Sequence, residues 1–320
     1  MRISRKTALA GIGGSFALPL LPSRSWADGP VTVRVAGAAD DDITPILYGQ
    51  QSGIFKKAGL AVQLQSLSSG SATAAAVAGG SIDIGKSSVT GLISAHSRGI
   101  PFAIVAPASI YLASYPIAGF VVAKDSKIAG AHDVNGKIVS ASSLKDLIAL
   151  ATQAWIDDNG GDSKTVHFVE IPSSAVAVAL EEHRIAGATM VTPALAEAMD
   201  SGKAKLLGRS FSAIAKRFMV AGWFTTKDYL ARNGDTATRF VDAFMQAAAY
   251  TDTHHAETVA LLAAYSHLEP ATINGMVRST VGKVVDPKDI EPVIAAALKY
   301  NVIAARFPAR ELIAPIAPTG

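Results

Sequence analysis

The chain has 320 residues, 49 % of them hydrophobic and 17 % charged, which allows one large or two medium domains and argues against disorder. Its formal charge of +3 comes without a dense Lys/Arg stripe, so no nucleic-acid partner is expected. There is no cysteine, which excludes thiol catalysis, zinc–thiolate sites and iron–sulfur clusters.

Residues 1–27 read as an export signal. Three positive charges in MRISRK precede the apolar run Ala8 to Leu21, and Ser25-Trp26-Ala27 places small residues at the −3 and −1 positions of a cleavage site before Asp28. The run is shorter than the ~20 apolar residues of a spanning helix. Ser4-Arg5-Lys6-Thr7 is similar to a twin-arginine signal with Lys in place of the second Arg, so both a general secretory route and a twin-arginine route stay open. Removing the signal takes away Arg2, Arg5, Lys6 and Arg24 and no acid, moving the formal charge from +3 to −1. A lipid anchor would need a cysteine at the cleavage site. The mature chain is therefore expected free in a periplasm, not as a lipoprotein.

From Pro30 strands and helices alternate. Val31 to Gly37 predicts a strand, and Thr44-Pro45 an N-cap with Pro opening a helix. Ala61 to Leu67 predicts a strand, Ser71 to Gly79 a helix, Ser81 to Gly85 a short strand, Ser88 to Gly99 a helix closed by Gly, and Pro101 to Ser109 a buried strand. The rhythm restarts with strands at Lys137 to Ala141, Val166 to Ile171 and Ile185 to Thr192. Helices at Leu144 to Gly161, Ser173 to His183 and Pro193 to Gly202 separate them. Met219 to Thr226 reads as a strand. The remainder reads as helical, with residues 238–265 as one long amphipathic stretch, then TINGMVRST and DIEPVIAAALKYNVI.

This pattern predicts an α/β chain with mainly parallel sheets covered on both faces. Two short crossings, near Tyr111–Phe120 and Met219–Thr226, imply that the second α/β unit is inserted into the first. The expected boundaries are a signal at 1–27, the first part of lobe one at 28–117, an inserted lobe two at 118–218, and a return strand with C-terminal helices on lobe one at 219–320.

The stretch from Gly80 to Ser87 fits the phosphate-loop pattern of Gly, four residues, Gly, Lys, Ser. A phosphate loop must leave a strand and enter a helix. Here helical residues precede Gly79, and Ile82 and Ile84 alternate as a strand inside the supposed loop, so no nucleotide is expected.

Ala78-Gly79-Gly80-Ser81-Ile82-Asp83-Ile84-Gly85 instead resembles a signature of periplasmic solute-binding proteins of ABC importers, the sulfonate, taurine, nitrate and thiamine-pyrimidine (NMT1-like) group. Gly53-Ile54-Phe55-Lys56-Lys57-Ala58-Gly59-Leu60, Val121 to Ser126 and Asp133 to Lys137 are similar to further segments of that group, in the same order. The resemblance implies a two-lobed periplasmic-binding-protein fold of type II. It implies capture of a small organic solute in an interlobe cleft, delivery to an ABC permease at the inner membrane, a monomeric state, and no cofactor, metal or catalysis. One stretch departs from the group: Ile185-Ala186-Gly187-Ala188 and Thr192-Pro193 stand where an Asp-Ala pair and an acid before Pro are usual.

In such a fold ligands lie beyond the carboxyl ends of strands, where helix starts offer unpaired N–H groups. The ligand-binding candidates are therefore Ser69, Gly70, Ser71, Ser87 and Ser88 in lobe one, and Ser142, Ser143 and Thr192 in lobe two. Each hydroxyl residue also fits an ordinary N-cap. Asp41 and Asp42, in the Asp40–Asp42 run after the first strand, are candidates to accept hydrogen bonds from an amine or hydroxyl, or else to cap a turn. Tyr111 and Trp223, on the crossings, either wall the cleft or belong to the core.

Two other functions compete. A sensor module would present the same solute to a membrane receptor. An enzyme resembling the pyrimidine-precursor synthases of the group would need its cysteine-rich motif, which is absent. The chain also carries no His-Glu-x-x-His or Gly-x-Ser-x-Gly pattern, and its seven histidines are scattered.

Overall fold

The computed structural model describes residues 29–319; the export-signal reading of residues 1–27 lies outside them. In chain order the elements are β1 (Val31–Gly37), α1 (Thr44–Gln51), α2 (Ile54–Lys57), β2 (Leu60–Ser66), α3 (Gly70–Ala78), β3 (Ile84–Ser88), α4 (Val89–Ser97) and β4 (Phe102–Leu112). There follow β5 (Ala118–Ala123), β6 (Ile138–Ala141), α5 (Leu147–Asp158), β7 (His167–Glu170), α6 (Ser173–Glu181), β8 (Gly187–Val191), α7 (Ala194–Asp200) and β9 (Ala204–Gly208). The last are β10 (Arg217–Thr226), α8 (Lys227–Thr251), α9 (His255–Ser266), α10 (Pro270–Gly275) and α11 (Pro287–Lys299).

The strands form two five-stranded sheets, ordered β2-β1-β3-β10-β4 and β7-β6-β8-β5-β9. Both sheets are mixed: in each, four strands run the same way, as expected of mainly parallel sheets, and one runs against them. Strands joined through helices run parallel, as in β1 with β2 and β3, or β6 with β7 and β8. The strand that follows each passage between the sheets runs against them. β10 is antiparallel to β3 and β4, and β5 is antiparallel to β8 and β9.

β4 and β10 pair from Phe102–Thr226 to Leu112–Arg217. The connections between the sheets therefore lie at 113–117 and 209–216. Met219–Thr226 is not a crossing but a central strand of the first sheet.

Other boundaries also moved. The third strand begins at Ile84 and carries Lys86, Ser87 and Ser88, so the phosphate-loop pattern is half strand. The long amphipathic stretch is two helices, broken at 252–254, where Thr253 and His254 donate their N–H groups back to the Tyr250 carbonyl. TINGMVRST is helical only as far as Gly275.

Alternation along β5 divides the second sheet's packing. Val121 and Ala123 join one cluster with Leu180 and Leu195; Phe120 and Val122 join another with Trp155 and Ile156. The first sheet has a larger core, which also takes in Leu147, Leu150 and Ala151 of α5. α5 thus flanks the second sheet while burying one face against the first.

Candidate functional site

The starts of α3, α4, α5, α6 and α7, from both sheets, converge on one cleft of about 660 Å³. This follows from the parallel strands: each helix begins beyond the carboxyl end of the strand before it, on the same rim. Of the sequence candidates, Asp42, Ser69, Gly70, Ser71, Ser87, Ser88, Ser142, Ser143 and Thr192 line this cleft.

Their local roles differ. Ser69 caps α3 by accepting from the Ala72 N–H at 3.2 Å, and Ser88 caps α4 by accepting from the Gly91 N–H at 3.2 Å. Gly70 is required by close approach, because a Cβ there would stand 2.6 Å from Ser87 Oγ. Ser87 and Thr192 are each only 4 % exposed. Among the described residues Thr192 Oγ1 has no hydrogen-bond partner. A buried hydroxyl left open in this way costs stability unless something fills it.

The Asp40–Asp42 run is arranged otherwise than the sequence suggests. Asp41 does not line the cleft. Its carboxylate accepts from Arg278 Nε at 2.8 Å and from the Ser279 N–H, with both ionic side chains almost wholly buried. Asp42 reaches the cleft edge but is bonded to Lys86 Nζ and accepts from Ser109 Oγ at 3.1 Å. Lys86 also donates to Asp40 at 3.1 Å. Burial works against the Lys86 charge, but the Asp42 and Asp40 carboxylates outweigh it and hold its pKa above the ordinary value. The lysine of the phosphate-loop pattern is therefore a buried counter-ion.

Tyr111 and Trp223 are also corrections, because both side chains belong to the core. Tyr111 is fully buried against Phe211 and Phe218, with its hydroxyl 2.7 Å from Ser212 Oγ. Trp223 is fully buried among Phe240 and Phe244 at ring distances of 6.2 and 5.6 Å. β10 lies inside the sheet and β4 at its edge, but both are buried along almost their whole length, so the aromatics of either go inward.

Two acids that the sequence reading passed over stand on the second wall. Asp146 caps α5, accepting from the Ala149 N–H at 3.0 Å and from Ser142 Oγ. Burial pushes its carboxyl up to about 6 against these hydrogen bonds, and the Glu170 charge adds to the rise. Glu170 Oε1 accepts from the Leu144 N–H at 3.0 Å. An Asp directly before the apolar run from Leu147 was a legible N-cap signal. Leu144, three positions earlier, extends the apolar spacing and masks it.

Among the described residues no group of three or more His, Asp or Glu side chains is arranged to hold a metal ion, and no helix is long and apolar enough to cross a membrane. The cleft offers hydroxyls, helix-start N–H groups, carboxylates and apolar surface from Ala74, Ala78 and Ile148. That inventory suits reversible binding of a small molecule.

Solved structures share this architecture. The aliphatic sulphonate binding protein SsuA of Escherichia coli superposes with a TM-score of 0.72 at 15 % identity, covering 91 % of this chain and 94 % of its own. The nitrate-binding protein NrtA of Synechocystis PCC 6803 gives 0.74 at 15 % identity, covering 88 % and 85 %. The ligand-binding component of an ABC-type import system from Staphylococcus aureus gives 0.78 at 11 % identity, covering 89 % and 97 %. At these identities the likeness establishes the periplasmic-binding-protein fold. No curated protein matches the sequence. The family described as NMT1/THI5 like matches residues 40–258, which include every strand but β1 and every helix start around the cleft, and the chain belongs to that family.

Proposed function

We propose that this protein is the solute-binding component of an ABC-type importer. It captures a small organic molecule between its two sheets in the periplasm and passes it to a membrane permease. The observation that carries the reading is the convergence of helix starts from both sheets on one cleft, with the Ser87 and Thr192 hydroxyls buried in its walls. Membership of the family and the names of the structural neighbours, a sulphonate binder, a nitrate binder and an import component, support it. Binding needs only groups that can be released again: N–H donors at helix starts, hydroxyls, and apolar walls that shed water on contact.

A thermal-shift screen of sulfonates, aromatic acids, pyrimidines and amines tests the reading. A binder at a hundred times its Kd gains about 2.7 kcal/mol, which moves the Tm of a chain this size by several degrees. A compound consumed in the same wells would support an enzyme instead. A plate with neither shift nor turnover would sink the reading.

A further inference from the structure

The charge layout of the cleft points to the class of solute, an inference that rests on the binding role proposed above. The lining carries the carboxylates of Asp40, Asp42, Asp146 and Glu170 and the cations Lys86, Arg98 and Lys145. The two sets are not equally available. Lys86 is shared between Asp40 and Asp42. Arg98 lies at the carboxyl end of α4, donating Nε to the Ser94 carbonyl at 3.2 Å, and Lys145 is exposed. Arg98 is held at Nε by that carbonyl, and Lys145 is free to turn to water.

The acids keep open positions. Asp40 gives one oxygen to Lys86, and Glu170 gives one to the Leu144 N–H. Among the described residues the other oxygen of each has no bonded partner. The start of α5, a natural seat for an oxyanion, is already occupied by the Asp146 carboxylate. Thr192 Oγ1, buried and unpaired, opens on the same space and lacks the acceptor or donor that a solute would bring. An oxyanion placed here would meet a carboxylate at a helix start and a lysine whose charge is spent twice.

We propose that the cleft takes an organic cation, an amine on an apolar body. Its ammonium group faces Asp40, Asp146 and Glu170, and its body rests on Ala74, Ala78 and Ile148. The Ser87 and Thr192 hydroxyls serve any further polar group it carries.

Matched pairs of probes test this: phenethylamine against 2-phenylethanesulfonate and hexylamine against hexanesulfonate, by calorimetry and thermal shift on the full mature chain. The amines are expected to bind, and added salt to weaken them. Glu170→Gln, which keeps an oxygen for the Leu144 N–H, is expected to weaken amine binding about fivefold, the scale of one half-exposed charge pair. Sulfonates binding while amines do not would overturn the amine class and leave the cleft reading standing, as would hits confined to uncharged compounds in the wider screen. Amine binding unchanged in Glu170→Gln and insensitive to salt would also overturn the charge assignment. Silence from every compound would overturn both this inference and the binding role.

Discussion

The two walls of the cleft use charge in opposite ways. On the first wall nearly every buried charge is matched: Asp41 with Arg278, and Lys86 with Asp42 and Asp40. On the second wall Asp146 is held by hydrogen bonds alone, and the Thr192 hydroxyl is held by nothing. Both walls line the cleft and hold buried groups, and the difference lies in what covers those groups. The loop after β1 dives under the C-terminal segment, where an unmatched ion would be prohibitive. Thr192 lies in the lining of the cleft, where a solute can supply the missing partner. The paired ions of the first wall are framework, and the open Thr192 hydroxyl of the second is receptive.

The largest expected effect breaks the framework. Arg278→Leu strands the Asp41 carboxylate in a buried site and should cost about 3–5 kcal/mol, read from urea unfolding. Adding Asp41→Asn should recover more than half of that loss. If Arg278→Leu alone costs less than about 1 kcal/mol, the first wall is not the rigid part and the contrast fails.

The same contrast explains what the sequence could and could not disclose. Helix starts after strands were legible, because Gly70, Ser88 and the Thr192-Pro193 pair mark them locally. The fate of the Asp40–Asp42 run was not. Its partner Arg278 is 237 positions away from Asp41, and no local pattern records that pairing. Trp223 and Tyr111 misled for the same reason, since whether an aromatic on a strand faces core or cleft depends on what covers the sheet. β9 went unread because AKLLG is short, half-buried and pairs at an edge with β5, far upstream. The antiparallel sense of β5 and β10 is likewise a property of the chain's path between the sheets.

A smaller effect sharpens the account of the second wall. The Asp146 carboxyl is raised to about 6, so the folded chain holds that proton more tightly than the unfolded one. Its stabilising contribution is complete below the unfolded value near 4 and is lost as pH rises through about 6. Asp252, also pushed up to about 6 by burial, has the same sign. Asp146→Asn keeps an oxygen for the Ala149 N–H and removes its own titration. Stability measured across this range should fall less steeply with rising pH than in the parent, by on the order of 1 kcal/mol. An unchanged slope would mean that Asp146 is as well solvated as a surface acid.

The smallest change in stability belongs to Thr192→Val. Valine keeps the β-branched shape before Pro193, and the Thr192 N–H still reaches the Ile117 carbonyl at 2.9 Å. The substitution removes a hydroxyl that is buried and unpaired in the free protein, so stability should stay level or rise by up to about 1 kcal/mol. A solute that bonds this hydroxyl should lose about fivefold in affinity, the worth of one hydrogen bond of about 1 kcal/mol. The two readings thus move in opposite directions, which a structural role for Thr192 cannot produce. A drop in stability with affinity intact would make Thr192 part of the framework and erase the difference between the walls.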